Sequence, residues 1–325
     1  MIMNAEHSTV MTNADESRSF TIAANQNIFD TLSKRLYTNI PRAIIRELVS
    51  NAIDANIDAG RDEKIKLHLP SALEPEFYVE DHGIGMDEKT IYDVYTQYGN
   101  STKSGSNNCI GGLGLGSKTP FAYTDQFFVT SSKDGIKNTY VCFKDEESKP
   151  CITKMDSVEC SESGTKVSFP VKDSDVRTFA REAVVTLLFT MKMPEIVNGK
   201  DRFTDIACVE SLEEFESLRN EVASNTFIDN RKISDIIYSG SYGDLIVEMG
   251  GVAYRVDQSE LFDGNSSDIL RYIQRKSNVQ VFHLPIGSVN IQSSREALNY
   301  TKSTKDTLNS LIVKAFFEDA QKVCA

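Results

Sequence analysis

Residues 41–60 read PRAIIRELVSNAIDANIDAG. Pro41 suits a first helical turn, and Gly60 suits the residue just past a helix end. Ile45, Leu48, Val49, Ala52 and Ile53 recur at helical spacing and form one apolar side. Glu47, Asn51, Asp54 and Asp58 fall one to three turns apart on another. At about 100° per residue these four span an arc of roughly 60°. Taken alone, such a stripe reads as the solvated face of an amphipathic helix, with Asp58 in solvent.

Two glycine-bearing segments downstream change that reading. The first is Val79-Glu80-Asp81-His82-Gly83-Ile84-Gly85-Met86-Asp87. Asp81 falls where a strand-like run ends, and Gly83 and Gly85 allow the backbone to turn tightly and approach a flat ligand. The second is Ile110-Gly111-Gly112-Leu113-Gly114-Leu115-Gly116-Ser117-Lys118-Thr119-Pro120. Its glycines lead into a helix, so its N–H groups can point at phosphate, and Lys118 offers a cation. It is a poor P-loop, because the first Gly is absent at the required distance and no Walker-B strand follows in register. Each segment alone reads as a turn or a surface loop.

Together, in this order, the segments resemble the GHKL family: the ATP-binding fold of gyrase B, Hsp90, histidine kinases and MutL. Glu47-Leu48-Val49-Ser50-Asn51-Ala52-Ile53-Asp54 is similar to that family's Glu-x-x-x-Asn-x-x-Asp helix. Asp81 to Gly85 resembles its Asp-x-Gly-x-Gly box, Gly111 to Gly116 its glycine-rich lid, and Gly164-Thr165 its Gly-Thr strand entry. Asn290-Ile291-Gln292-Ser293-Ser294-Arg295-Glu296 resembles an Hsp90 middle-domain segment with one residue inserted. A narrower resemblance, to the rIIA lysis-inhibition proteins of T-even-like bacteriophages, rests on four phrases. These are Ser19 to Ala23, Leu36 to Asn39, Arg42 to Leu48 and Tyr98 to Lys103.

The resemblance implies a fold: a GHKL (Bergerat) α/β sandwich, then a smaller α+β domain like an Hsp90 middle domain. It also implies ATP and Mg²⁺ as ligands and gives the residues roles. Glu47 would orient and deprotonate water, and Asn51 would hold the metal. Asp81 would accept from the adenine amino group, with Thr165 sharing a water, and Asp54 would support that side of the site or the helix. Gly83 and Gly85 would admit the base. Gly112, Gly114 and Gly116 would wrap the phosphates, helped by Lys103 or Lys118. Arg295 would reach the γ-phosphate from the second domain; its other reading is a surface charge at a helix start. His82 and Asp87 flank the site without a role. The enzyme expected is a slow ATPase that gates a conformational change or a nucleotide-dependent homodimer. The alternative is an interaction switch with negligible turnover.

The wider chain sets limits. A net charge of −12 over 325 residues disfavours general nucleic-acid binding. The longest apolar run, Ala183 to Met191, is short of the ~20 residues of a membrane span, which leaves peripheral membrane association open. The expected location is cytoplasmic, and the partner an unknown host or phage protein. Six cysteines without a Cys-x-x-Cys pair give no zinc or disulfide framework. The expected division is a polar arm at 1–18, an ATP-binding domain at 19–195 and a second domain at 196–325. Strand-like runs are expected at 65–69, 77–80, 126–131, 139–143, 165–171, 245–256 and 279–284. Helical patterns fall at 27–36, 41–59, 179–193, 266–275 and 303–323.

Overall fold

The computed structural model describes residues 29, 31, 35–98, 116–239, 245–262, 279–292 and 294–324. The expected polar arm, most of the 27–36 helix, the lid up to residue 115 and the 266–275 helix lie outside the described residues.

Helix α1, Ile40–Asp58, is capped by Asn39, whose side chain accepts from Arg42 N at 3.1 Å. Gly60, at φ +65°, takes the left-handed turn after it. Its apolar side (Ile44, Ile45, Leu48, Val49, Ala52 and Ile53) is buried against a seven-stranded sheet. The sheet comprises β1 (Lys66–His68), β2 (Glu76–Glu80), β3 (Gln126–Lys133), β4 (Ile136–Lys144), β5 (Pro150–Glu159), β6 (Gly164–Pro170) and β7 (Glu195–Asn198), in the order β5-β4-β3-β6-β2-β1-β7. Every pairing is antiparallel except β1 with β7. Asp134 and Gly135, both at positive φ, make the two-residue β3–β4 turn. This is the expected α/β fold, and the structure shows its sheet to be mostly antiparallel.

Helix α2, Val176–Leu187, packs on α1. It ends earlier than the apolar pattern to Met193 suggests, because Arg219 Nε donates to Leu187 O at 2.7 Å and serves an end carbonyl. Helices α3 (Lys200–Ala207), α4 (Leu212–Ser224) and α5 (Arg231–Ser239) follow. A second sheet, order β10-β9-β11-β8, is built from β8 (Phe227–Ile228), β9 (Leu245–Met249), β10 (Val252–Arg255) and β11 (Val279–Leu284). The run 245–256 is thus a hairpin, turned by Gly250 and Gly251 at φ +60° and +81°. The first sheet takes β7 from beyond residue 195. One core cluster runs from α1 through α2, α4 and α5 to Ile246, Ala253, Val279 and Val281. Helix α6, Lys302–Cys324, covers the other side of the second sheet with Leu308, Ile312 and Ala315. No helix among the described residues is long and apolar enough to cross a membrane.

His283 ties the second sheet to α4. Its Nδ1 lies 2.9 Å from Glu248 Oε2 and its Nε2 lies 2.9 Å from Val222 O. Both neighbours are acceptors, so both nitrogens are best protonated, and the Glu248 contact raises the pKa above 6.5. A raised folded-state pKa gives stability that is complete below the unfolded pKa of about 6.5 and is lost as pH rises through the folded value. His283→Gln should therefore lower the thermal midpoint more at pH 5.5 than at pH 8.5. An equal shift at both values would contradict this.

Candidate functional site

The polar stripe of α1 is not a solvated face. Glu47 and Asp54 are buried, Asn51 is half-buried, and only Asp58 is exposed. Glu47 is 4% exposed, so its charge requires partners. Two guanidinium groups provide them. Arg46 donates to Glu47 Oε1 from Nε at 3.2 Å and from Nη2 at 3.1 Å. Arg295 Nη1 donates to Oε2 at 3.0 Å and to Oε1 at 3.2 Å.

Arg295 does not begin a helix. It sits in a loop closed by the Ile291–Leu298 bridge and by Gln292 N donating to Ala297 O at 2.9 Å. Its backbone is left-handed, φ +57°, an uncommon state for a non-glycine residue. Arg46 holds that loop as well, donating to Arg295 O at 2.7 Å and to Ser294 O at 3.1 Å. Burial of Tyr37 beside these charges pushes its hydroxyl well above its ordinary pKa.

Asp81 ends the strand β2 and is buried. Its Oδ1 accepts from Gly83 N at 2.9 Å and from Thr165 N at 3.0 Å. Among the described residues no hydrogen bond reaches Oδ2, which is the oxygen left for a ligand. Burial raises the Asp81 pKa to about 6, against the lowering pull of the two N–H groups. Thr165 Oγ1 lies 3.1 Å from Ser131 Oγ, which also accepts from Met86 N at 2.7 Å. Asn56 joins α1 to this loop: its Oδ1 accepts from His82 N at 2.7 Å, while its Nδ2 donates to Glu63 O at 2.8 Å. Asp87 caps the short helix Glu88–Thr90 and pairs with Lys133 at 3.0 Å, a structural role.

The glycines show where backbone comes close. A Cβ on Gly85, at φ +68°, would lie 2.0 Å from Ser132 O. A Cβ on Gly116 would lie 2.4 Å from Glu47 Oε2, so the end of the glycine-rich segment abuts the carboxylate. Lys118 is buried with its ammonium 5.3 Å from the Tyr95 ring centroid, and burial lowers its pKa to about 8. Lys103, Gly112 and Gly114 lie outside the described residues. Among the described residues no group of three or more His, Cys, Asp or Glu could hold a metal ion. A metal here would rest on the Asn51 amide oxygen together with oxygens of its ligand.

Sequence reasoning gave no role to Arg46, Asn56, Ser131 or Glu296. The signal available for Arg46 was its place beside Glu47 on the apolar helix. The others act through contacts between distant segments.

Residues 37–165 match the family profile described as histidine kinase-, DNA gyrase B-, and HSP90-like ATPase. The chain is 29% identical over 187 residues to the chaperone protein HtpG of Chlorobaculum tepidum, covering 49% of this chain and 29% of that protein. It is 28% identical over 181 residues to HtpG of a Wolbachia species from Brugia malayi, covering 46% and 28%. It is 25% identical over 209 residues to an endoplasmin homologue of Dictyostelium discoideum, covering 57% and 27%. These matches support the GHKL superfamily for this part of the chain, and they span less than a third of the length of those relatives. Glu47, Asn51, Asp54, Asp81, Gly83, Gly85 and Thr165 fall inside the matched profile; Arg295 falls outside it.

Gly85→Ala should lose stability through both strain and collision with Ser132 O, about 2 kcal/mol or more. Gly60→Ala meets the same sign of φ in open space and should cost less. Equal thermal midpoints for the two variants would contradict the close approach at Gly85.

Proposed function

We propose that this protein binds Mg-ATP between α1 and the two glycine-bearing loops and hydrolyses it slowly, using Glu47 as the base. The contact of Arg295 with Glu47 carries the reading. It places a cation from far along the chain at the buried Glu47 carboxylate, which Gly116 of the glycine-rich segment also abuts. An arginine there suits the terminal phosphate of ATP, because its planar fork pairs with two oxygens.

The remaining roles are those that the sequence motifs suggest. Asp81 Oδ2 accepts from the adenine amino group, while Oδ1 stays on its two N–H donors. Thr165 and Ser131 brace that side of the pocket. Gly83 and Gly85 hold the loop close, and Gly112, Gly114 and Gly116 wrap the phosphates with Lys103. Lys118, buried over Tyr95, anchors the end of the lid. Asp54 stiffens the helix beneath the base. Asn51 would hold Mg²⁺, which when bound neutralises phosphate charge. Glu47 can take a proton from water only after Arg295 leaves it for the phosphate. That exchange makes turnover depend on a bound triphosphate and supports a gated conformational change, with homodimerisation as its output. The four rIIA-like phrases set this activity in a phage protein concerned with lysis inhibition or a host partner.

A second reading is supported by the same observation. Both oxygens of Glu47 are engaged by Arg295, and Oε1 by Arg46 as well. If Arg295 never releases the carboxylate, the protein is a nucleotide-binding switch with negligible turnover.

Asp81→Asn should weaken ATP and ADP alike, because an amide turns a donor toward the adenine amino group. One hydrogen bond to a charged acceptor is worth about 1.5–3 kcal/mol, roughly 10- to 150-fold. Wild-type affinity for both should also fall as pH drops below about 6, where Asp81 takes up its proton. Glu47→Ala should keep ATP binding and reduce phosphate release by on the order of 10²–10⁴. Unchanged calorimetric affinity in Asp81→Asn would remove the adenine assignment. Tight ATP binding without release by the wild type would decide for the switch.

A further inference from the structure

Helix α1 begins with half of a capping box. Asn39 accepts from the N–H of Arg42, three residues on, as the motif requires. The reciprocal acceptor, normally a Glu or Gln at that third position, is missing because an arginine stands there. No acidic residue lies in the first turn. The N–H groups of Thr38 and Asn39 would then need other partners, at a helix end that attracts negative charge.

Glu296 meets that need from the second half of the chain. Its Oε2 accepts from Thr38 N at 2.7 Å and its Oε1 from Asn39 N at 3.1 Å. It is the immediate neighbour of Arg295, and its own N–H is directed to Ser294 Oγ at 3.4 Å. Arg46 holds the same loop from the other side through the carbonyls of Ser294 and Arg295. The loop is therefore gripped at three successive residues, by the two residues that precede α1 and by Arg46 in its second turn. With its backbone held so, Arg295 projects onto Glu47.

We propose that Glu296 is the positioning residue of this site: its carboxylate completes the cap of α1 and so sets Arg295 against Glu47. The proposal rests on the ATPase reading for its catalytic consequence, though not for the docking itself.

The test separates docking from chemistry. Amide hydrogen exchange of the nucleotide-free full chain is measured for the wild type, Glu296→Ala and Glu296→Gln. Glu296→Gln retains shape and one acceptor, which guards against a misfolded alanine variant. Faster exchange at Thr38, Asn39 and the 294–297 loop in both variants, with the β1–β2 strands unchanged, is expected. Wild-type exchange at Thr38 and Asn39 in both would overturn the proposal. Steady-state hydrolysis gives the second readout: kcat should fall in Glu296→Ala while ADP affinity holds, and Arg295→Ala/Glu296→Ala should be no slower than Arg295→Ala. Multiplying losses in the double variant would show that Glu296 does not act through Arg295 and would also overturn it. Failure of the wild type to bind any adenine nucleotide would sink the ATPase reading and leave the exchange result to decide the docking.

Discussion

Glu47, buried between Arg46 and Arg295, is the constraint from which the architecture of the site follows. A carboxylate with 4% exposure persists as an ion only where opposite charge and hydrogen bonds replace water. Arg46 comes from the helix itself and Arg295 from a loop 248 residues further on. The charged partners of this carboxylate thus come from two segments far apart in the chain. The loop in turn is held by Glu296, so two guanidiniums and two carboxylates meet at the start of one helix.

The fold prepares this meeting. The apolar side of α1 is fixed on the seven-stranded sheet, which sets the direction of its polar stripe. Asp81 arrives at the end of β2, and Gly164-Thr165 at the start of the neighbouring β6, so that Thr165 N reaches Asp81 across the pair. Gly116, at the end of the glycine-rich segment, abuts the Glu47 carboxylate. Two carboxyl groups thus share one helix-sheet interface in different surroundings. Glu47 is paired with cations, while Asp81 has none of its described contacts from a cation and is pushed up by burial.

Much of this was legible in the amino-acid sequence, for physical reasons. The spacing of Glu47, Asn51 and Asp54 on an apolar helix, and Asp81 at a strand end before two glycines, are local patterns. By periodicity alone they read as a solvated face and a turn; their order with the glycine-rich segment, through the family resemblance, made them a site. What was not legible depends on separation or on irregularity. The strand β5 lacks apolar alternation because most of it is exposed at a sheet edge. The strand β7 is four residues long, and the hairpin at Gly250 and Gly251 hides inside one apolar run. The helices α3 to α5 carry mixed faces that the sequence reading passed over. The link from Glu296 to Thr38 and Asn39 leaves no local mark except a cap whose second half is missing.

Arg295 is proposed to act at the terminal phosphate and not merely as a counter-ion for Glu47. Single-turnover ATP hydrolysis and ADP affinity, measured side by side in Arg295→Ala and Arg295→Lys, test it most directly. Hydrolysis should slow by on the order of 10²–10³ in the alanine variant, recover only in part in the lysine variant, and leave ADP affinity unchanged. Wild-type hydrolysis in Arg295→Ala, or loss of ADP binding together with hydrolysis, would contradict it.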